Sequence, residues 1–229
     1  MLENICEDVY GVRSTLRMAT GVVFPLRSTV VRLPDGALLI HSPVRFSEAE
    51  AAAIDALGPV RHVVSPNGFH HLYAKHALAR WPGAALSKSP ALVKKRPDLA
   101  AAHVLGDGPP PWDTTVLEPL PLEGAPMIGE FCFFHAPSGS LLLTDAAFNI
   151  PEPANFVSGL MFRLGGTYRV FRQSRLFGFA IKDRASAAAS GRRILERPIR
   201  RVVPCHGEVV GPPNDARAAL EAAWAPMLR

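Results

Sequence analysis

The sequence predicts a layered α/β (α+β) domain in which two similar halves pack face to face. Three observations carry that prediction. Short apolar strands alternate with Ala-rich helices, and the order meander then strand–helix appears twice along the chain. The composition, 48% hydrophobic and 20% charged, is that of a globular chain and not a disordered one. A chain of 229 residues buries roughly 70–75% of its extended surface on folding, so a single domain over 1–229 is expected.

The first meander begins with a strand at Val9-Tyr10-Gly11-Val12. Ser28 to Leu33 is a β-branched strand, and Pro34-Asp35-Gly36 is a turn, because Pro sets φ and Gly permits a positive one. Ala37 to Ile40 is a buried strand stopped by His41-Ser42-Pro43. Ser47-Glu48-Ala49-Glu50 has the S-x-x-E spacing of a capping box and opens a helix that ends at Gly58. Pro59 to Val64 is the next strand. A loop from Ser65 to His71 leads into a helix from His71 to Arg80, closed by Trp81-Pro82-Gly83. Ala84 to Leu86 is a short strand, Pro90 to Lys95 a short helix, and 106–113 a Pro/Gly-rich connection.

The second meander spans Thr115 to Leu122, the aromatic strand Phe131 to His135, a turn at Pro137-Ser138-Gly139, and a buried strand Leu141 to Thr144 ending at Asp145. Residues 150–182 show no regular period. A helix follows from Asp183 to Glu196, then a strand Arg200 to Val203, the loop Pro204-Cys205-His206-Gly207, and a helix from Asn214 to the end.

The formal charge is +5, but its densest clusters are short: Lys94-Lys95-Arg96, Arg192-Arg193 and Arg200-Arg201. No basic stripe interleaved with aromatics is present, so there is no clear nucleic-acid motif and the charge reads first as a solvated surface, with an anionic small-molecule substrate or an RNA partner as the alternatives. Cys6, Cys132 and Cys205 form neither a CxxC zinc motif nor a disulfide framework, the first residues lack an apolar leader, and no apolar run is long enough to span a bilayer. Together they predict a cytoplasmic protein.

There is no G-x-S-x-G elbow, phosphate-binding glycine loop, dinucleotide fingerprint or H-E-x-x-H helix. What stands out is position. His70, His71, Asp145 and His206 each directly follow an apolar strand, where polar side chains of a layered α/β fold converge on a ligand. Three imidazoles and a carboxylate suit one divalent ion, Zn²⁺ foremost and Fe or Mn otherwise. The structural alternative is a packed, helix-capping histidine pair and an Asp that caps a turn. Cys205 reads as a small buried residue, and His41 and His135 as structural or ligand-orienting groups. In Phe156 to Phe179, aromatics and leucines are interleaved with Arg163, Arg169, Arg172 and Arg175. Three readings stand for it: a lid whose arginines hold an anion, a homodimer or membrane-surface interface, or an insert packed on its own domain.

The chain also resembles the metallo-β-lactamase-fold superfamily. D-V-Y-G-V followed by V-V-R-L-P-D-G-A-L-L-I-H-S-P is similar to that superfamily's first meander, L-L-L-T-D to the strand ending in its bridging aspartate, and P-C-H-G to its last-ligand loop. The H-x-H-x-D-H loop falls on Pro66-Asn67-Gly68-Phe69-His70-His71. An Asn-containing loop before a His-His pair resembles an uncharacterised branch of the superfamily. The resemblance implies a four-layer αββα sandwich. It also implies that the first metal site is erased, since Pro66 and Gly68 stand at ligand positions and Glu123 or Glu130 is nearest its third. The second site keeps His71, Asp145 and His206 and has His70 in place of an aspartate.

Two functions follow as expectations. One is a mononuclear metal-dependent hydrolase of an ester, thioester or phosphodiester, with metal ligands His70, His71, Asp145 and His206 and with Asp145 or Glu130 as the catalytic base. The other is a non-catalytic relative that binds a small molecule or a protein.

Overall fold

The computed structural model describes residues 1–229. Its first sheet contains β1 (Leu2–Cys6), β2 (Val9–Arg17), β3 (Val23–Arg32), β4 (Leu38–His41), β5 (Val60–Ser65), β6 (Ala85–Lys88) and β7 (His103–Val104), in that spatial order. The pairs are antiparallel as far as β4 and parallel from β4 to β7, where the connections run through helices. Those helices are α1 (Glu48–Asp55), α2 (Ala74–Arg80) and α3 (Ala91–Lys95). The second sheet has the order β11 (Arg201–Pro204), β10 (Ser140–Leu143), β9 (Phe131–His135), β8 (Leu117–Pro121), with only β10 and β11 parallel. Helix α6 (Arg184–Leu195) lies between β10 and β11 in the chain, and α7 (Ala216–Leu228) follows β11.

The two-residue period of a strand explains how the layers stack. In β3 and β4, Val30, Leu38 and Ile40 pack with Ile54, Ala74 and Ala77 of α1 and α2, while Val31 and Leu39 point the other way. In the second sheet Leu141, Leu143 and Val202 pack with Ile194, Leu220 and Trp224 of α6 and α7. Leu142, Phe133 and Val203 face Val31, Leu39 and Val64 across the gap between sheets. Strands apolar on both faces are what two covered sheets require. The order of layers is therefore helix, sheet, sheet, helix, as the resemblance implied.

The capping box at the start of α1 is formed: Glu50 N–H donates to Ser47 Oγ at 3.3 Å and Ser47 N–H to Glu50 Oε2 at 2.9 Å. Other boundaries differ from expectation. The first hairpin is longer, because β2 and β3 stay paired through Arg17 and Val23. The helix expected from His71 begins at Ala74, which leaves His71 in a turn. Within 150–182, expected to be irregular, lie α4 (Phe156–Gly165) and α5 (Arg175–Ala180). Alpha4 escaped because both of its faces are apolar, so no polar stripe marks a period. Its ends were legible: Asn155 accepts from Ser158 N–H, and Gly166 takes the left-handed conformation at φ 78° that stops a helix. No helix is long and apolar enough to cross a membrane.

Candidate metal centre

Three loops leave the ends of parallel strands on one rim. The loop after β5 carries His70, Asp145 follows β10, and His206 follows β11. His70 Nε2 and His206 Nε2 stand 3.2 Å apart, and each is 3.4 Å from one oxygen of Asp145. The ligating atoms of these three residues lie within 4.8 Å of one another. This is a convergence of two imidazoles and a carboxylate on one point.

The outer hydrogen bonds determine what the rings present to that point. His206 Nδ1–H donates to the Pro25 carbonyl at 2.9 Å, so the neutral ring must aim its Nε2 lone pair inward. His70 Nδ1 is 2.7 Å from Ser42 Oγ; in the tautomer with Nε2 free, Nδ1–H donates to that hydroxyl. Ser42 holds this position with a left-handed backbone at φ 54°, a conformation costly for any residue but glycine. The point between the three groups accepts either a proton on His70 Nε2, shared with His206 Nε2 and Asp145, or a metal ion in its place. Burial disfavours charge on both groups, yet their attraction outweighs it: His70 is held protonated well above its ordinary range and Asp145 ionised well below its own. The field that retains a proton on His70 is the field that attracts a divalent ion. The donor set fits a Zn²⁺-type ion with three protein ligands and an open position.

Asn67, fully buried, organises the rim. Its Oδ1 accepts the backbone N–H groups of Phe69 and His70, both at 2.8 Å. Its Nδ2 donates to Asp145 Oδ2 at 2.6 Å and to Glu130 Oε2 at 2.7 Å. Because Oδ1 accepts twice, the amide cannot be flipped. Asn67 was not singled out as a site residue from sequence, although Asn followed by Gly at a strand end is a loop signal. Arg27, also buried, donates from Nη1 to the carbonyls of Pro204 and Gly207 and so clamps the His206 loop; nothing local in sequence marks it.

Two of the expected site residues need correction. His71 does not join the cluster: Arg96 Nη1 lies 2.6 Å from its Nδ1. Burial, Arg96 and Lys95 depress its pKa to about 4, so the ring is neutral and accepts from Arg96 through Nδ1. Glu130 is not at the reacting surface. Only 1% exposed, it receives Asn67 Nδ2, the Thr144 hydroxyl and the Thr144 backbone N–H, and its carboxyl is pushed up by burial and by Asp145. Its bonds run to Asn67, Thr144 and the Asp145 backbone N–H.

Pro66 and Gly68, where the resemblance implies ligands of a first metal site, are backbone anchors. Gly68 N–H donates to the Ile128 carbonyl at 2.7 Å, and a Cβ there would meet Met127 O at 2.9 Å. The Pro66 carbonyl accepts from Phe131 N–H, and Lys95 Nζ donates to the Gly68 carbonyl at 2.6 Å. Lys95 and Arg96 thus put positive charge on this side of the loop, which opposes a second cation.

The three converging residues stand at one end of a cavity of about 720 Å³, lined mainly by apolar side chains of the β2–β3 hairpin, α4 and α5. The arginines of the 156–179 segment do not line it. Arg163 and Arg169 stack on Tyr168, and Arg175 donates to the Leu164 carbonyl. The expected arginine grip on an anion is therefore not formed.

No family model matches the sequence, and no curated protein matches it at a significant level. Solved structures do match in shape. DIM-1 metallo-β-lactamase exposed to ceftazidime aligns with a TM-score of 0.69 at 15% identity, over 99% of this chain and 95% of that one. A metallo-β-lactamase from Pontibacter korlensis aligns at 0.66 and 14%, over 99% and 98%. The mono-zinc form of FIM-1 from Pseudomonas aeruginosa aligns at 0.64 and 15%, over 99% and 94%. Identity this low speaks for the fold alone, and on that ground the chain is a metallo-β-lactamase-fold protein over its whole length.

Proposed function

We propose that the protein is a mononuclear metal-dependent hydrolase whose ion is held by His70, Asp145 and His206, with Zn²⁺ the first choice. One observation carries the reading: His206 Nε2, made an acceptor by the Nδ1–H bond to Pro25, faces His70 Nε2 at 3.2 Å and Asp145 at 3.4 Å. An ion bound by such a set brings the pKa of a water ligand to about 7 and polarises a carbonyl or phosphoryl oxygen.

The chain's own residues supply the rest. Asp145 is kept ionised by the two imidazoles and held in place by Asn67, so it would serve as a ligand to the ion and as the proton acceptor nearest to it. Ser42 and Pro25 hold the rings in register, and Glu130 holds Asn67. The apolar cavity walls lower the local polarity beside the three groups, which strengthens electrostatic contacts there.

The test is elemental analysis of tag-free protein purified without chelator, alongside His206→Ala and Asp145→Ala, with turnover measured on ester, thioester and phosphodiester panels. About one ion per chain is expected, lost in both variants together with chelator-sensitive turnover. Protein that takes up no ion even from excess overturns the reading. A second reading, a non-catalytic binder, draws on the anchored Pro66 and Gly68, which close the first metal site. Bound metal without turnover on any panel would favour it.

A further inference from the structure

The cavity beside the centre has two kinds of wall. Its imidazole, carboxylate and ammonium groups, His70, His71, Asp145, His206 and Lys95, come from the strand-end loops and α3. The β2–β3 hairpin, α4 and α5 contribute mainly aliphatic and aromatic side chains, with Thr167 and Ser174 between those helices as hydroxyls. A volume of about 720 Å³ is that of a small-molecule site, not a packing defect. Much of the wall is pliable: Met18, Met127 and Met161 line it with Leu16, Leu26 and Leu72, side chains that adapt to a flexible ligand. The cavity also reaches the surface between α4 and α5, where Leu164 and Leu176 line it while remaining 68% and 70% exposed. Exposed leucines at a mouth are costly unless something apolar passes or rests there.

The charges argue against a polyanion. Lys95 is the one Lys or Arg side chain on the wall, and its ammonium is already engaged by the Gly68 carbonyl at 2.6 Å and the face of Phe69 at 4.6 Å. A phosphodiester lying along this wall would be desolvated without a cationic partner. An uncharged carbonyl with an aliphatic tail would lose nothing there and gain the burial of its tail.

We infer that the substrate is an amphiphile, an ester or thioester of a long-chain aliphatic acid. Its scissile carbonyl lies at His70, Asp145 and His206, and its chain lies in the cavity toward α4 and α5. The inference rests on the hydrolase reading. In the reaction the water oxygen bonds to the acyl carbon and the acyl C–O or C–S bond breaks. One proton of the water passes to the leaving alkoxide or thiolate, giving a carboxylic acid and an alcohol or thiol.

The experiment has two arms on the full-length protein, both below micelle-forming concentrations. The first measures binding of free fatty acids from butyrate to dodecanoate, by calorimetry, to wild type and to metal-free His206→Ala. The second measures kcat/KM of the metal-loaded enzyme on the matching p-nitrophenyl esters. Affinity and kcat/KM should each rise about fourfold per added methylene until the cavity is filled. Met161→Trp, which fills the chamber, and Leu164→Trp, at its exposed mouth, should both flatten that rise. A flat chain-length profile in wild type overturns the assignment, as does a profile unchanged by both tryptophan variants. Chain-length-dependent binding that persists in His206→Ala, with no ester cleaved by the metal-loaded protein, would keep the cavity as an aliphatic-chain site. It would overturn the hydrolase reading, and the ester as substrate with it, and leave the chain-binding half of the assignment standing.

Discussion

Asn67 ties the backbone of one candidate ligand to the side chain of another: its Oδ1 accepts His70 N–H at 2.8 Å while its Nδ2 donates to Asp145 Oδ2 at 2.6 Å. The same nitrogen also donates to Glu130 Oε2 at 2.7 Å, so one amide bridges the two carboxylates. Asn67→Ala should weaken metal binding by about 10–100-fold, as loss of an outer-shell partner does. It should also lower stability by ~1–3 kcal/mol, because buried acceptors lose their donor. Competition against a chromophoric chelator and urea unfolding read the two effects. Unchanged metal affinity would remove Asn67 from the site.

His71 and His206 are predicted to behave oppositely. His71 points to Arg96, so His71→Ala should keep about one ion per chain, whereas His206→Ala should keep none. Elemental analysis of the two purified variants decides it. Loss of the ion in His71→Ala would restore the four-ligand expectation.

His41 gives a pH-dependent stability of definite sign. The ring is fully buried against Phe133, and burial, with His70 nearby, drops its pKa from 6.5 to about 3. Between those values the unfolded chain binds a proton that the folded chain refuses, so stability is present in full above pH 6.5 and falls as pH drops toward 3. His41→Phe should flatten urea-unfolding free energies over that window. An unaltered slope would mean that other groups set the acid limit.

Gly207 is required by its backbone. Its φ is 105°, and a Cβ built there would overlap the Asn149 carbonyl oxygen. Gly207→Ala should cost at least about 2 kcal/mol in thermal or urea unfolding and shift His206 enough to weaken the metal site. A variant with wild-type stability and metal content would show that the loop relaxes freely.

Much of the architecture was legible before any coordinates. The S-x-x-E box of α1, the Pro-Asp-Gly turn before β4 and the apolar runs of β10 and β11 are local signals. Each acts through its own backbone, so the sequence carries it without help from the rest of the chain. The long β2–β3 hairpin was less legible, since its outer half, Arg13 to Arg17 with Val23 to Arg27, owes its pairing to register across the turn and not to a run of apolar residues. Helix α4 was missed because apolar residues on both faces erase the period that identifies a helix.

The sequence by itself determined the layered fold class, the strand-end placement of His70, Asp145 and His206, and the absence of side-chain donors at Pro66 and Gly68. Those depend on residue type and on hydrophobic order, which are properties of the chain. Only the tertiary structure decided that His71 turns to Arg96, that Glu130 is bonded to Asn67 and Thr144, and that the arginines of 163–175 do not line the cavity. These depend on side-chain direction and on partners far away in sequence, and only packing brings such partners within hydrogen-bonding distance.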